Sequence, residues 1–195
     1  MPIDTGRVEA AVAEILEAIG EDASRPGLAA TPQRVAQAYV EYFSGLDVDP
    51  LSHLVDTVEV NEGDHDLSEL VMLRDIEFRS MCEHHLLPFT GVAHLAYVPG
   101  DRIVGLGKLP RVVETLASRP QLQERLTEEI ADALEAGLSP KGVLVILDAT
   151  HRCVTARGVR QSKSSTVTMA TRGTLSDPIE RAELISLIGA GHASG

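Results

Sequence analysis

An antiparallel α+β domain is the fold class that this 195-residue sequence predicts. Three observations predict it. Segments with helical and strand patterns follow one another in the order α-α, β-β-α-α-β-β, α. The strands come in hairpin-like pairs around a helical insertion, which favours an antiparallel sheet over a doubly wound parallel one. Hydrophobic residues make up 44% but aromatics only 3%, with no Trp, so the core must be built from Leu, Val, Ile and Ala. A chain of this length buries roughly 70% of the surface its unfolded form exposes, enough for a core without covalent staples. Residues 1–50 read as an N-terminal helical region and residues 51–195 as the α+β domain.

The elements follow in order. Val8, Val12, Ile15, Leu16 and Ile19 fall at helical spacing over residues 4–19, and Gly20 is a natural stop. Thr31 before Pro32 suits an N-cap with Pro at the first helical position, and a helix through Val35, Ala36, Tyr39 and Phe43 ends near Gly45. Residues 46–68 are polar and irregular, a connecting loop with a short strand near 57–60. Residues 69–79 have partial alternation and read as a strand. Met81-Cys82-Glu83-His84-His85 has no clean period and falls at a strand end or turn. Residues 89–98 form a second strand, and Pro99-Gly100-Asp101 a turn. Two helices, 108–118 and 121–137, are parted by Pro120; the second carries Leu122, Leu126, Ile130, Ala133 and Leu134 on one face. A buried strand over 142–148 and a β-branched strand over 164–172 follow. A helix over 178–188 and a frayed Gly/Ala/Ser tail close the chain.

A net charge of −12 excludes a nucleic-acid-coating role, because no excess of Lys and Arg is available to neutralise phosphates. It leaves room for a small phosphorylated ligand, which needs only local cations. No apolar run follows a basic N-terminal stretch or approaches the ~20 residues that span a bilayer, so the chain reads as cytoplasmic, without a membrane partner. Two Cys are no disulfide framework; they are buried thiols, metal ligands or nucleophiles.

Cys82 and His85 have the C-x-x-H spacing of a ligand pair, which lets a tight turn aim both donors at one point. Cys153 follows the 142–148 strand, and antiparallel neighbours would return it to that pair. Cys2His is a three-ligand set, and catalytic zinc keeps its fourth position for water; a structural zinc would want a fourth protein ligand, for which His84 or His151 are the candidates. From spacing alone, two buried thiols remain the alternative. His84 and His151, each beside a proposed ligand, read equally as proton carriers or as hydrogen-bonded structural residues. His53, His65, His94 and His192 read as surface or sheet residues. Lys108 and Arg111 open one predicted helix, and Arg157 and Arg160 follow Cys153. Grouped near a metal and helix N-termini they suit an oligophosphate; singly, each is a solvated charge. Gly105-Leu-Gly-Lys108 is not a P-loop, lacking the glycine-framed spacing and the following hydroxyl residue. Glu124, one turn into a helix, is by default an exposed acid.

These stretches together resemble one family. Thr31-Pro-Gln-Arg34, Met81-Cys-Glu-His-His85, Gly105-Leu-Gly-Lys108 with Arg111, Arg119-Pro-Gln-Leu-Gln-Glu-Arg-Leu126, and His151-Arg-Cys153 with Ala156-Arg-Gly158 are similar to the motifs of GTP cyclohydrolase I, in that family's order, over roughly residues 8–188. The resemblance implies the tunnelling fold for residues 51–195, and a barrel-forming homodecamer with active sites at subunit interfaces. It implies Zn2+ on Cys82, His85 and Cys153, Glu124 on the guanine edge with Gln123 beside it, and Lys108, Arg111, Arg157 and Arg34 on the triphosphate. His84 and His151 would be the proton-transfer residues. The implied reaction is the first of pterin and folate biosynthesis. Water opens the guanine imidazole ring of GTP, formate leaves, and the ribose opens, rearranges and recloses to give 7,8-dihydroneopterin triphosphate. The metal would serve the hydrolytic half only.

Two positions depart from the family pattern. Gly107 stands where the family usually has a Ser whose hydroxyl lies near the ribose, and Arg152 stands where an apolar or aromatic residue is common. Gly107 motivates an alternative, a paralogue that stops at the ring-opened formamidopyrimidine. A non-catalytic nucleotide-binding oligomer is a further alternative, opposed by the retained ligands and histidines. A zinc nucleoside deaminase would need His-x-Glu and Pro-Cys-x-x-Cys stretches, which do not occur.

Overall fold

The computed structural model describes residues 2–60 and 69–190. Residues 61–68 of the predicted 46–68 loop, with His65, and the tail beyond residue 190, with His192, lie outside the described residues.

The predicted helical pair is present. Helix α1, Thr5–Ala18, is capped by the Asp4 carboxylate, which accepts from the Arg7 N–H at 3.0 Å; Gly20, at φ 87°, ends it as expected. Helix α2 spans Thr31–Tyr42 with Ala30, not Thr31, at the cap and no side-chain cap bond. The turn closed by the Thr31 N–H on Leu28 O at 2.8 Å makes Thr31 the first helical residue, one place past the cap.

After a 3-10 turn at Pro50–Leu54 come strands β1 (Thr57–Glu59), β2 (Val71–Cys82), β3 (Pro88–Val98) and β4 (Arg102–Val104). Helix α3 (Lys108–Ala117), strand β5 (Pro120–Gln121) and helix α4 (Gln123–Leu138) form the insertion. Strand β6 (Gly142–His151), helix α5 (Arg152–Thr155), strand β7 (Thr166–Gly173) and helix α6 (Pro178–Ala190) complete the chain. The main sheet runs β5-β2-β3-β6-β7, antiparallel throughout except where β5 pairs parallel with the end of β2. β1, β4, β5 and α5 are two to four residues long; apart from the strand expected near 57–60, they carry too few positions for a period to be read.

Alternation along the strands sorts two layers. Val143, Val145 and Leu147 join Phe78, Phe89, Ala93 and Leu95 against Leu109, Val112 and Leu116 of α3 and Leu126, Ile130 and Leu134 of α4. Leu144, Ile146 and Ala96, pointing the other way, pack with Leu175 and with Leu184 and Ile188 of α6. A strand buried on both faces reads as the unbroken apolar run seen at 142–147. β3 and β6 approach closely at Gly91, where a Cβ would fall 2.0 Å from Asp148 O. His94 is a sheet residue, as expected: it is buried and its Nδ1 accepts from the Asp75 N–H at 3.2 Å. His53 is half-buried and outside the sheets; from its 3-10 turn its Nε2 bonds Thr115 Oγ1 of α3 at 2.8 Å.

Candidate metal centre and active site

Strand register brings the two cysteines to one end of the sheet. Ser80 of β2 pairs with Phe89 of β3, and Phe89 with His151 of β6. Cys82 and Cys153 each lie two residues beyond that row. β2 therefore runs three residues further than the alternation suggested and carries Cys82 as its last residue. The chain then reverses: Leu86 N donates to Cys82 O and Cys82 N to Leu87 O, both at 2.9 Å, with Leu86 in the left-handed region at φ 49°. This turn carries His85 back over the strand end, 3.8 Å from Cys82 Sγ through Nδ1. On the other side α5 wraps Cys153 inward. The donor atoms of Cys82, His85 and Cys153 all lie within 4.8 Å of one another.

That donor set fits a divalent cation. Tetrahedral zinc with bonds of about 2.1 Å to N and 2.3 Å to S sets neighbouring donors roughly 3.5–3.8 Å apart, the spacing already present between Cys82 and His85. Burial, and then the neighbouring Cys82, push the Cys153 thiol above its ordinary value. A thiol whose ionisation is opposed in this way is what a coordinated cation stabilises as the thiolate.

The flanking histidines differ. His84 is exposed on the turn, its ring edge-on to His85. His151 is half-buried, stacked on Phe89 with ring centroids 4.6 Å apart and 6° between planes, and its Nε2 lies 2.7 Å from Gln123 Oε1. Burial lowers its pKa, opposed by the charge of Glu124. Glu124 is exposed in the first turn of α4. Gln123, beside it, turns inward and is 1% exposed. Glu83 on the metal turn receives Arg125 Nη1 and Nη2 of α4 at 2.7 and 3.0 Å.

The cations are not all brought here. Arg157 is close enough for its charge to favour the Cys153 thiolate. Lys108 stands at the start of α3, whose far end leads to β5 and the Cys82 turn; a ten-residue helix is about 15 Å long. Its Nζ bonds Asp56 Oδ2 at 2.9 Å. Arg111 is exposed one turn further on, and Arg34 is exposed on α2. A groove of about 700 Å3 lined by Glu77, Arg79, Thr90, Val92, Pro110 and Glu114 contains none of the metal donors. Phe89 and Arg125 escaped the sequence reading because nothing marks an ordinary strand Phe or helix Arg until register and packing set them beside the site.

A family model for GTP cyclohydrolase I matches residues 8–189. The chain belongs to the GTP cyclohydrolase I family. It is accordingly a hydrolase, and its antiparallel sheet with helices inserted between strand pairs is the tunnelling fold that the motifs implied. GTP cyclohydrolase 1 of Leifsonia xyli subsp. xyli is 60% identical over 190 residues, covering 97% of this chain and 98% of that protein. The enzyme of Rhodopirellula baltica is 54% identical over 187 residues, 95% of this chain and 80% of its own length. That of a Geobacillus species is 53% identical over 184 residues, 93% and 95%. Among solved structures, the archaeosine synthase QueF-Like aligns with a TM-score of 0.44 at 17% identity over 53% of this chain and 93% of that one. No described helix of this cyclohydrolase family member is long and apolar enough to cross a membrane.

Proposed function

We propose that this chain opens the imidazole ring of GTP by hydrolysis, releases formate and carries the product to 7,8-dihydroneopterin triphosphate, with zinc held by Cys82, His85 and Cys153. The observation that supports this best is the approach of those three donors to within 4.8 Å from distant parts of a chain of this family. Zinc there supplies Lewis acidity that makes water nucleophilic near neutral pH.

The chain's own groups do the rest. Glu124 accepts hydrogen bonds from the guanine edge and so orients C8. His84, exposed on the turn, gives a proton to N7 as the ring opens. His151, shielded by Phe89, moves protons during the sugar rearrangement. Arg157, Lys108, Arg111 and Arg34 bind the triphosphate. The offset of Lys108 from the Cys82 turn supports a site completed by neighbouring subunits. Among the described residues the outer edges of β7 and of most of β2 have no strand partner, which supports closure of several copies into a barrel, a homodecamer working in the cytoplasm. Residues 1–50 serve as a helical region attached to a catalytic domain over 51–195.

Gly107 favours a second reading, arrest at the ring-opened formamidopyrimidine. It precedes α3 without a capping side chain, and a Cβ there would meet nothing within 4 Å. A Ser would fit, so the missing hydroxyl is a chemical difference and not a steric one.

Incubation of the purified protein with zinc and GTP, with products identified by mass, decides. Formate and dihydroneopterin triphosphate are expected. Accumulated formamidopyrimidine without pterin selects the second reading, and unchanged GTP overturns both.

A further inference from the structure

Gln123 is a buried polar residue in contact with His151, and its hydrogen bonds have a direction. Its Nε2 lies 3.2 Å from Leu147 O, 2.8 Å from Thr166 O and 3.1 Å from Thr168 Oγ1. Carbonyl oxygens only accept, so the amide nitrogen must face them; the flipped amide would set oxygen against oxygen. A hydroxyl relay agrees: Thr127 Oγ1 donates to Gln123 O at 2.7 Å. Thr168 Oγ1, 2.6 Å from Thr127 Oγ1, must then donate to it and accept from Gln123.

With the nitrogen fixed, Oε1 faces His151 Nε2 at 2.7 Å. A ring nitrogen that meets an acceptor at this distance carries the hydrogen. Neutral imidazole has only one N–H, so Nδ1 is left with the lone pair. The stacked Phe89 ring holds the imidazole plane. Both partners of His151 are therefore set by the sheet and by α4.

We propose that Gln123 is a positioning residue: it fixes neutral His151 as the Nε2–H tautomer, which makes Nδ1 the atom that takes a proton from the reacting substrate and later returns it. While His151 holds that second proton, the same Oε1 accepts a charge-assisted bond from the imidazolium. The proposal rests on the proton-transfer role given to His151 above. It also moves the Gln123 side chain from the guanine edge, where the family resemblance set it, to the rear of the histidine.

The assembled enzyme with ring-15N histidine tests it. In the wild type the His151 resonances should show a protonated Nε2 and a bare Nδ1; a bare Nε2 overturns the proposal. Gln123→Met should lower kcat on the order of tenfold, a part of the ~10²–10⁴-fold that a positioned acid or base supplies, with KM for GTP changed less than about threefold. Leu134→Ala, buried on the same helix and outside the relay, is the structural control: it should lower the melting temperature with kcat within about twofold. Equal loss of kcat in the two variants assigns Gln123 to stability alone and overturns the proposal. Full activity in His151→Asn would instead sink the proton-transfer reading beneath it, and the 15N pattern still decides the tautomer separately.

Discussion

At the scale of single residues, the centre depends on two thiols and one imidazole. Cys153 is half-buried and its ionisation is opposed by burial and by Cys82, so without a cation it is held as a thiol. Cys153→Ser leaves a two-donor site. Zinc affinity in a chelator competition should fall by more than the ~10–100-fold that loss of an outer-shell partner costs, and formate release from GTP should fall with it. Retained zinc at one per subunit would remove Cys153 from the ligand set. Glu124 is exposed and free of burial cost, so Glu124→Gln should fold normally. It loses a charge-assisted bond worth ~1.5–3 kcal/mol, and KM for GTP should rise on the order of ten- to a hundredfold in steady-state kinetics. An unchanged KM would show that the guanine edge binds elsewhere.

At the scale of elements, the site is held by where strands end and helices begin. β2 and β6 finish at the same end of the sheet because β3 pairs with both, and at Gly91 β3 lies too close to β6 for a side chain. Gly91→Ala sets a methyl 2.0 Å from Asp148 O. It should spread β3 from β6, weaken zinc binding at the distant strand ends and lower the thermal midpoint; a variant with wild-type midpoint would show that the strands slide freely. Leu134 of α4, 0% exposed under the sheet, tests the insertion instead. Leu134→Ala should cost about 2–5 kcal/mol in denaturant unfolding, with metal affinity in the surviving folded fraction unchanged. These element boundaries were only partly legible. The alternation of 69–79 stopped short of Cys82 because Ser80 and Met81 are both buried and break the period, and α5 offers four residues, one turn, to any helical pattern.

At the scale of the whole molecule, one chain brings Cys82, His85 and Cys153 together, with Arg157 near Cys153 and Arg125 on Glu83 of the same turn. Lys108 is engaged by Asp56 and stands at the start of α3, so the proposed triphosphate site predicts an assembly in which a neighbouring copy completes it. Light scattering at active concentrations should give a mass near ten subunits of 20.9 kDa, about 209 kDa; a fully active monomer would overturn the shared site. Gly107→Ser in that assembly should raise the ratio of pterin to formamidopyrimidine if the hydroxyl matters, and leave it unchanged if water takes its place.

What the sequence determined by itself was chemical and periodic: which residues can ligate, which segments alternate or turn at helical spacing, and which motifs occur in which order. Those properties reside in residue type and local spacing, so the candidate ligands, the helical pair, the insertion and the family were readable in one dimension. Only the tertiary structure decided the inward turn of Gln123, the Phe89 plane behind His151, the Asp56 hold on Lys108 and the meeting of Cys82 with Cys153. These depend on strand register and on which side of a layer a side chain enters, and contacts between residues far apart in the chain leave no mark on the local pattern of either.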